Sequence, residues 1–156
     1  MTQQAAKAGN AEGGDYPDPF SVSVTPQETD IDGLNHVNNA VYLQWCEQVA
    51  WAHSEKLGLY LSDYRRLDRA MAIRRGEYDY LLPALMGDDL ILSTWLTASD
   101  GKLTMVRNFQ LQRAATGQTL MRGRWDLVCI ELSTGKARRM PPEFCEVYEA
   151  AVVRPA

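Results

Sequence analysis

The sequence predicts an α+β fold in which one long central helix is wrapped by a five-stranded antiparallel sheet. Two patterns carry this. Val41, Tyr42, Trp45, Cys46, Val49, Ala50 and His53 recur at helical spacing, and from residue 71 to residue 132 the apolar residues alternate with period two. Turn signals break that alternation into separate strands, so neighbours pair antiparallel.

The elements follow in order. Phe20-Ser-Val-Ser-Val-Thr25 alternates and is stopped by Pro26, which makes residues 20–25 a short first strand. A helix runs over residues 40–56, with Asn38 as N-cap and Gly58 as its stop. Residues 61–67 add a short helix. Strands are expected at residues 71–82, 89–98, 102–113 and 119–132, separated by residues 83–88 with Gly87, by Asp100-Gly101 and by Thr116-Gly117. The last three form a meander. Within residues 102–113, Leu103, Met105, Phe109 and Leu111 share one face, while Thr104, Asn108, Gln110 and Gln112 share the other. One side of the sheet is therefore expected to meet water, and the helix at Val41 covers the other. Pro141-Pro142 closes the sheet region, and residues 143–151 form a terminal helix. Residues 1–18, rich in Ala, Gln and Gly, read as a disordered tail, and residues 19–156 as a single domain.

Composition narrows the function. With 156 residues, 46% hydrophobic and 23% charged, the chain suits one globular domain burying roughly 70% of its unfolded surface. A net charge of −4 and the lack of a basic run exclude a general nucleic-acid binder. Cys46, Cys129 and Cys145 are odd in number and widely spaced, which suggests reduced structural thiols in a cytoplasmic protein and neither a disulfide framework nor a metal site. No apolar run of about 18 residues is present to span a bilayer, and the first 18 residues lack the apolar stretch of a secretory signal.

Chemistry concentrates ahead of the long helix. Between Thr29 and Tyr42 lie Asp30, Asp32, Asn35, His36, Asn38 and Asn39, after which the apolar stripe begins at once. The loop thus delivers carboxylates and an imidazole to a helix N-terminus, where free N–H groups can bind an anion or a polarised carbonyl.

Three segments together resemble the 4-hydroxybenzoyl-CoA thioesterase-like family of acyl thioesterases. They are Asp30-Ile-Asp-Gly-Leu-Asn-His-Val-Asn-Asn-Ala-Val-Tyr-Leu-Gln-Trp, residues 74–89 and residues 135–143. The first is the most specific and is similar also to acyl-carrier-protein (ACP) thioesterases. The resemblance implies the hotdog fold and hydrolysis of an acyl-CoA. It puts the catalytic carboxylate on Asp32, with Asp30 as competitor, and backbone oxyanion donors at Asn39 and Ala40. His36 matches an imidazole that belongs to the catalytic group in the ACP enzymes; those enzymes also carry an asparagine two residues after the aspartate, where this chain has Leu34. No metal or redox cofactor is implied, and no CoA-binding residue is assigned. A homodimer with the strands of residues 71–82 side by side, or a homotetramer, is the implied assembly.

The residues support the chemistry independently. A thioester is already activated, so its hydrolysis needs a placed carboxylate and donors for the developing oxyanion. Plainer roles stand beside these. An aspartate before a glycine serves as a turn former, above all Asp30; Asn38 caps the helix; His36 is either a loop-ordering residue or catalytic. His53 and Cys46 read as core residues, and Glu47 is a weak candidate nucleophile. Arg74, Arg75, Arg107, Arg122, Arg124, Arg138 and Arg139 read mainly as solvated charges, available in principle to CoA phosphates. The competing functions are an acyl-ACP thioesterase, a hotdog hydratase or dehydratase, and a non-catalytic acyl-binding module.

Overall fold

A computed structural model of the chain describes residues 2–5 and 13–154. The elements run β1 (Thr2–Ala5), β2 (Phe20–Thr25), a 3-10 turn (Glu28–Asp30), α1 (Asn39–Leu57), α2 (Leu61–Leu67), β3 (Arg69–Tyr80), β4 (Leu90–Ser99), β5 (Thr104–Arg113), β6 (Thr119–Glu131) and α3 (Pro142–Ala151). All strand pairs are antiparallel in the order β1-β2-β4-β5-β6-β3. The five expected strands are thus present with a short sixth at one edge, curled about α1 in the hotdog arrangement.

The helix begins and ends where its caps dictate. Asn38 Oδ1 accepts the Ala40 N–H at 3.0 Å, and Gly58 takes the left-handed conformation (φ +103°) that lets its N–H reach Glu55 O and Ser54 O. Its inward face carries Val41, Tyr42, Trp45, Cys46, Val49, His53 and Ser54, all buried. Each large apolar side chain removed from water there stabilises the fold by roughly 1.5–3 kcal/mol. Facing them are Leu92 and Leu96 of β4, Met105, Phe109 and Leu111 of β5, and Met121, Trp125 and Leu127 of β6. Gly123 has no side chain where the rings of Tyr78 and Phe109 pass, and Tyr78 Oη accepts the Trp125 Nε1–H at 2.7 Å.

The opposite face of the sheet differs from expectation. Gln110 and Gln112, expected to meet water, are 0% exposed. The segment before β2 lies across them: Gln110 accepts from the Asp15 N–H at 2.8 Å and donates to Gly13 O at 3.0 Å. Trp95 Nε1 donates to Pro17 O at 3.0 Å, with the Tyr16 ring 5.4 Å from the Trp95 ring, and Arg122 holds the Asp15 carboxylate. Side-chain amides are suited to this, because they satisfy the backbone groups of an extended segment that has no strand partner of its own. Of residues 1–18, expected as a tail, residues 1 and 6–12 lie outside the described residues. Thr2–Ala5 pairs with β2.

β3 is the other end of the sheet. It pairs with β6 and has no second ladder among the described residues. Ile73 and Tyr80, then Leu81 and Leu82 just beyond, are exposed along or next to this edge, and Leu43 and Trp51 are exposed on the outer face of α1.

Candidate active site

The loop before α1 is built from short polar contacts. Asp30 closes the 3-10 turn, its Oδ2 accepting the Gln27 N–H at 2.8 Å, and its carbonyl accepts the Asn38 N–H at 2.8 Å. Asp32 Oδ1 accepts the Leu34 N–H at 2.8 Å and the His36 N–H at 3.2 Å. The Asp32 N–H in turn donates to His36 O at 2.8 Å. Asn35 sits at φ +61°, a conformation asparagine tolerates, and this lets the chain reverse between Asp32 and His36. The Val37 N–H donates to Ala84 O at 2.9 Å, and His36 bridges Leu85, so the loop is pinned to the connection after β3.

Asp32 is half-buried, and its Oδ2 bonds none of the described residues. The His36 side chain is exposed and makes no hydrogen bond to the Asp32 carboxylate; the two residues meet through the backbone. The expected oxyanion donors divide. The Asn39 N–H has no partner among the described residues, whereas the Ala40 N–H is held by Asn38 Oδ1. Nearby, Tyr42 Oη accepts the Ala84 N–H at 3.0 Å, and burial pushes the phenol's pKa up against the lowering effect of that bond and of Arg113. The Asp88 charge and, least of all, the Asp32 charge add to the rise.

Farther along α1 a cavity of about 200 Å³ opens between helix and sheet. Met71, Ile73, Met105 and Trp125 form its apolar wall, exposed Glu47 stands at its rim, and Arg107 lines it from the sheet side. Arg107 is 3% exposed, and its Nη1 bonds His53 Nδ1 at 2.9 Å and Thr94 Oγ1 at 3.1 Å. Burial, reinforced by the Arg107 charge, lowers the His53 pKa to about 3, so the imidazole is neutral and its Nδ1 accepts. Beside them Tyr148 Oη bonds Tyr64 Oη at 2.5 Å and Ser54 Oγ at 3.1 Å. The sequence contained the signal for Arg107, since it falls between Met105 and Phe109 on the apolar face of β5.

Other residues fall into plain roles. Cys46 is fully buried and its thiol's pKa is raised by burial and by the Glu47 charge, opposite to what a nucleophilic thiol needs. Cys129 is likewise buried and unbonded to sulfur, and Cys145 is half-buried. Among the described residues no group of three or more His, Cys, Asp or Glu is placed to hold a metal, and no helix is long and apolar enough to cross a membrane.

A hotdog sheet carrying this aspartate loop at its helix start defines a class, and comparison with known proteins agrees. Residues 24–147 match the model of the thioesterase-like superfamily, and the chain belongs to that superfamily. It is 29% identical over 126 residues to the long-chain acyl-CoA thioesterase FadM of Escherichia coli (strain K12), covering 78% of this chain and 91% of FadM. Among solved structures, Slr0204, a 1,4-dihydroxy-2-naphthoyl-CoA thioesterase from Synechocystis, superposes with a TM-score of 0.75 at 22% identity, over 86% of this chain and 96% of Slr0204. SAV2348 from Staphylococcus aureus, solved in complex with CoA, gives 0.78 at 18% identity over 90% of each chain.

Proposed function

We propose that the protein hydrolyses an acyl-CoA thioester to a free carboxylic acid and CoA, with Asp32 as the catalytic carboxylate. One observation carries the assignment: Asp32 is fixed through Oδ1 by two backbone N–H groups while Oδ2, and the Asn39 N–H at the start of α1, bond none of the described residues. The carboxylate either takes a proton from attacking water or attacks the thioester carbon itself, giving an acyl–aspartyl anhydride whose acyl C–O bond water then cleaves to return the carboxylate. In both cases the C–S bond breaks, the thiolate leaves as CoA and is protonated by solvent or by His36, and water supplies the hydroxyl of the acid. The oxyanion formed on the way accepts the Asn39 N–H, aided by the positive end of the α1 dipole. Ala40 adds a second donor once Asn38 Oδ1 releases it.

The working unit is a homodimer or a dimer of such dimers, placed in the cytoplasm. The support is the unpaired β3 edge with its exposed apolar residues, a form that invites strand pairing. Antiparallel pairing of two β3 edges brings the exit of one β3, to which the Asp32 loop is pinned, towards Met71 and Ile73 at the start of the other. Each site then lies at the subunit boundary, with the cavity beside α1 as the acyl end.

Thiol release from a panel of acyl-CoAs tests the reaction, with the same acyl groups on ACP and water addition to an enoyl-CoA as comparison arms. Release from CoA thioesters is the expected result. Turnover confined to acyl-ACP or to the enoyl-CoA replaces this reading, and binding without turnover reduces the protein to an acyl-binding module. Sedimentation velocity is expected to show a dimer or tetramer, and a monomer at tens of micromolar would remove the composite site.

A further inference from the structure

Arg107 is the unusual charge in this molecule. Its guanidinium is buried on the apolar face of β5, and its hydrogen-bond partners, His53 Nδ1 and Thr94 Oγ1, are both neutral acceptors. Among the described residues no carboxylate forms an ion pair with it, Glu47 standing at the exposed rim of the same cavity, and the groups that act on its charge are the Tyr148 and Tyr64 hydroxyls. Burial lowers its pKa to about 10, which leaves it cationic at neutral pH. A buried cation without a counter-charge is destabilising, and a fold tolerates one more readily where a ligand supplies the missing charge.

The bonds of Arg107 use Nη1 alone, and neither Nη2 nor Nε is among the fully enclosed atoms lacking a partner. Those N–H groups therefore reach open space, and the space that Arg107 lines is the cavity. At about 200 Å³ it is somewhat larger than the roughly 150 Å³ cavity that accepts benzene. A ring or a chain of about six atoms plus one polar group fills it. Met71, Ile73, Met105 and Trp125 give apolar walls, the Ser54, Tyr64 and Tyr148 hydroxyls that also line the cavity bond one another, and Glu47 stands at the exposed rim, so the guanidinium is the positive charge that sets which end enters.

We propose that this cavity selects short or aromatic acyl groups whose far end carries a carboxylate, held by the free N–H groups of Arg107. The inference rests on the thioester-hydrolase reading and names its substrate class: CoA monothioesters of dicarboxylic acids. His53 is a positioning residue. By accepting from Nη1 it fixes the guanidinium plane, so that the remaining donors face the cavity. A plain hydrocarbon tail leaves those donors without an acceptor and is disfavoured.

Matched pairs test it: hexanoyl-CoA against adipoyl-CoA, and benzoyl-CoA against 4-carboxybenzoyl-CoA, compared by kcat/KM on the wild-type protein. Charge-assisted bonds to a buried guanidinium predict a preference of roughly 10- to 100-fold for the carboxylate-ended member. Arg107→Met is expected to abolish that preference. Equal or faster turnover of the neutral-ended members overturns the inference and leaves the hydrolase reading standing. A second readout needs no turnover: Trp51 and Trp125 line the cavity, so their fluorescence reports binding of hexanoate against 1-hexanol. Hexanoate should bind at least tenfold tighter, and equal binding, or none by hexanoate, overturns the proposal. If no CoA thioester is cleaved while hexanoate is still bound selectively, the hydrolase reading fails and the anion site survives.

Discussion

Replacing Asp32 by asparagine separates its chemistry from its part in the turn. Asparagine keeps a carbonyl oxygen for the Leu34 N–H at 2.8 Å and the His36 N–H at 3.2 Å, and the atom that becomes an amide nitrogen is Oδ2, which bonds none of the described residues. Stability should therefore change by less than about 0.5 kcal/mol. The proton-accepting or nucleophilic function is lost, and such a group contributes roughly 10²- to 10⁴-fold, or about 2.7–5.4 kcal/mol of barrier at 1.36 kcal/mol per tenfold. Asp32→Ala loses the same rate and, in addition, both turn bonds, for a further cost of about 1–2 kcal/mol in stability. Thiol release with a chromogenic reagent gives the rate, and a thermal melt gives the fold. An Asp32→Asn protein that melts with wild type and keeps kcat within about threefold would refute the assignment.

Three other outcomes are expected. His53 is held neutral, with a folded-state pKa of about 3 against 6.5 when unfolded, so between those values the unfolded chain binds the extra proton and stability falls as pH falls. Urea midpoints from pH 6.5 to pH 4.5 should show this as a slope approaching about 1.4 kcal/mol per pH unit that His53→Gln removes; parallel curves for the two proteins would contradict it. Gly123→Val places a β-carbon 3.3 Å from Tyr78 Cδ1 and 3.4 Å from Phe109 Cδ2 before its methyl groups are added, and denaturant unfolding should show a loss of roughly 1–3 kcal/mol. Asn38→Ala removes the cap on the Ala40 N–H and should lower stability by about 1 kcal/mol, while kcat is not reduced if the freed N–H serves as the second oxyanion donor proposed above; a fall in kcat would count against that donor.

The fold was legible because each element announces itself locally. The apolar stripe from Val41 to His53 marks a helix buried on one side, and Asn38 and Gly58 mark its ends. The observed helix, Asn39–Leu57, exceeds the expected one by a residue at each end. Period-two alternation located four strands, and the last three do form a meander. The spacing of Asp32, His36 and the helix start was equally local, since a tight loop of nine residues can bring its own members together without help from the rest of the chain.

What the sequence could not give depends on contacts between residues far apart in it. Gln110 and Gln112 look solvent-facing in their strand, and they are buried because a segment some 95 residues earlier lies over Gln110. The alternation of β5 puts Arg107 on the apolar face, but its partners come from elsewhere in the chain, Thr94 from β4 and His53 from α1. Alternation and capping are set by chain geometry over a few residues, so sequence determined the elements, the aspartate loop and the superfamily. Burial is a property of what packs on top, so only the tertiary structure decided that a cation with neutral partners stands at the edge of a cavity.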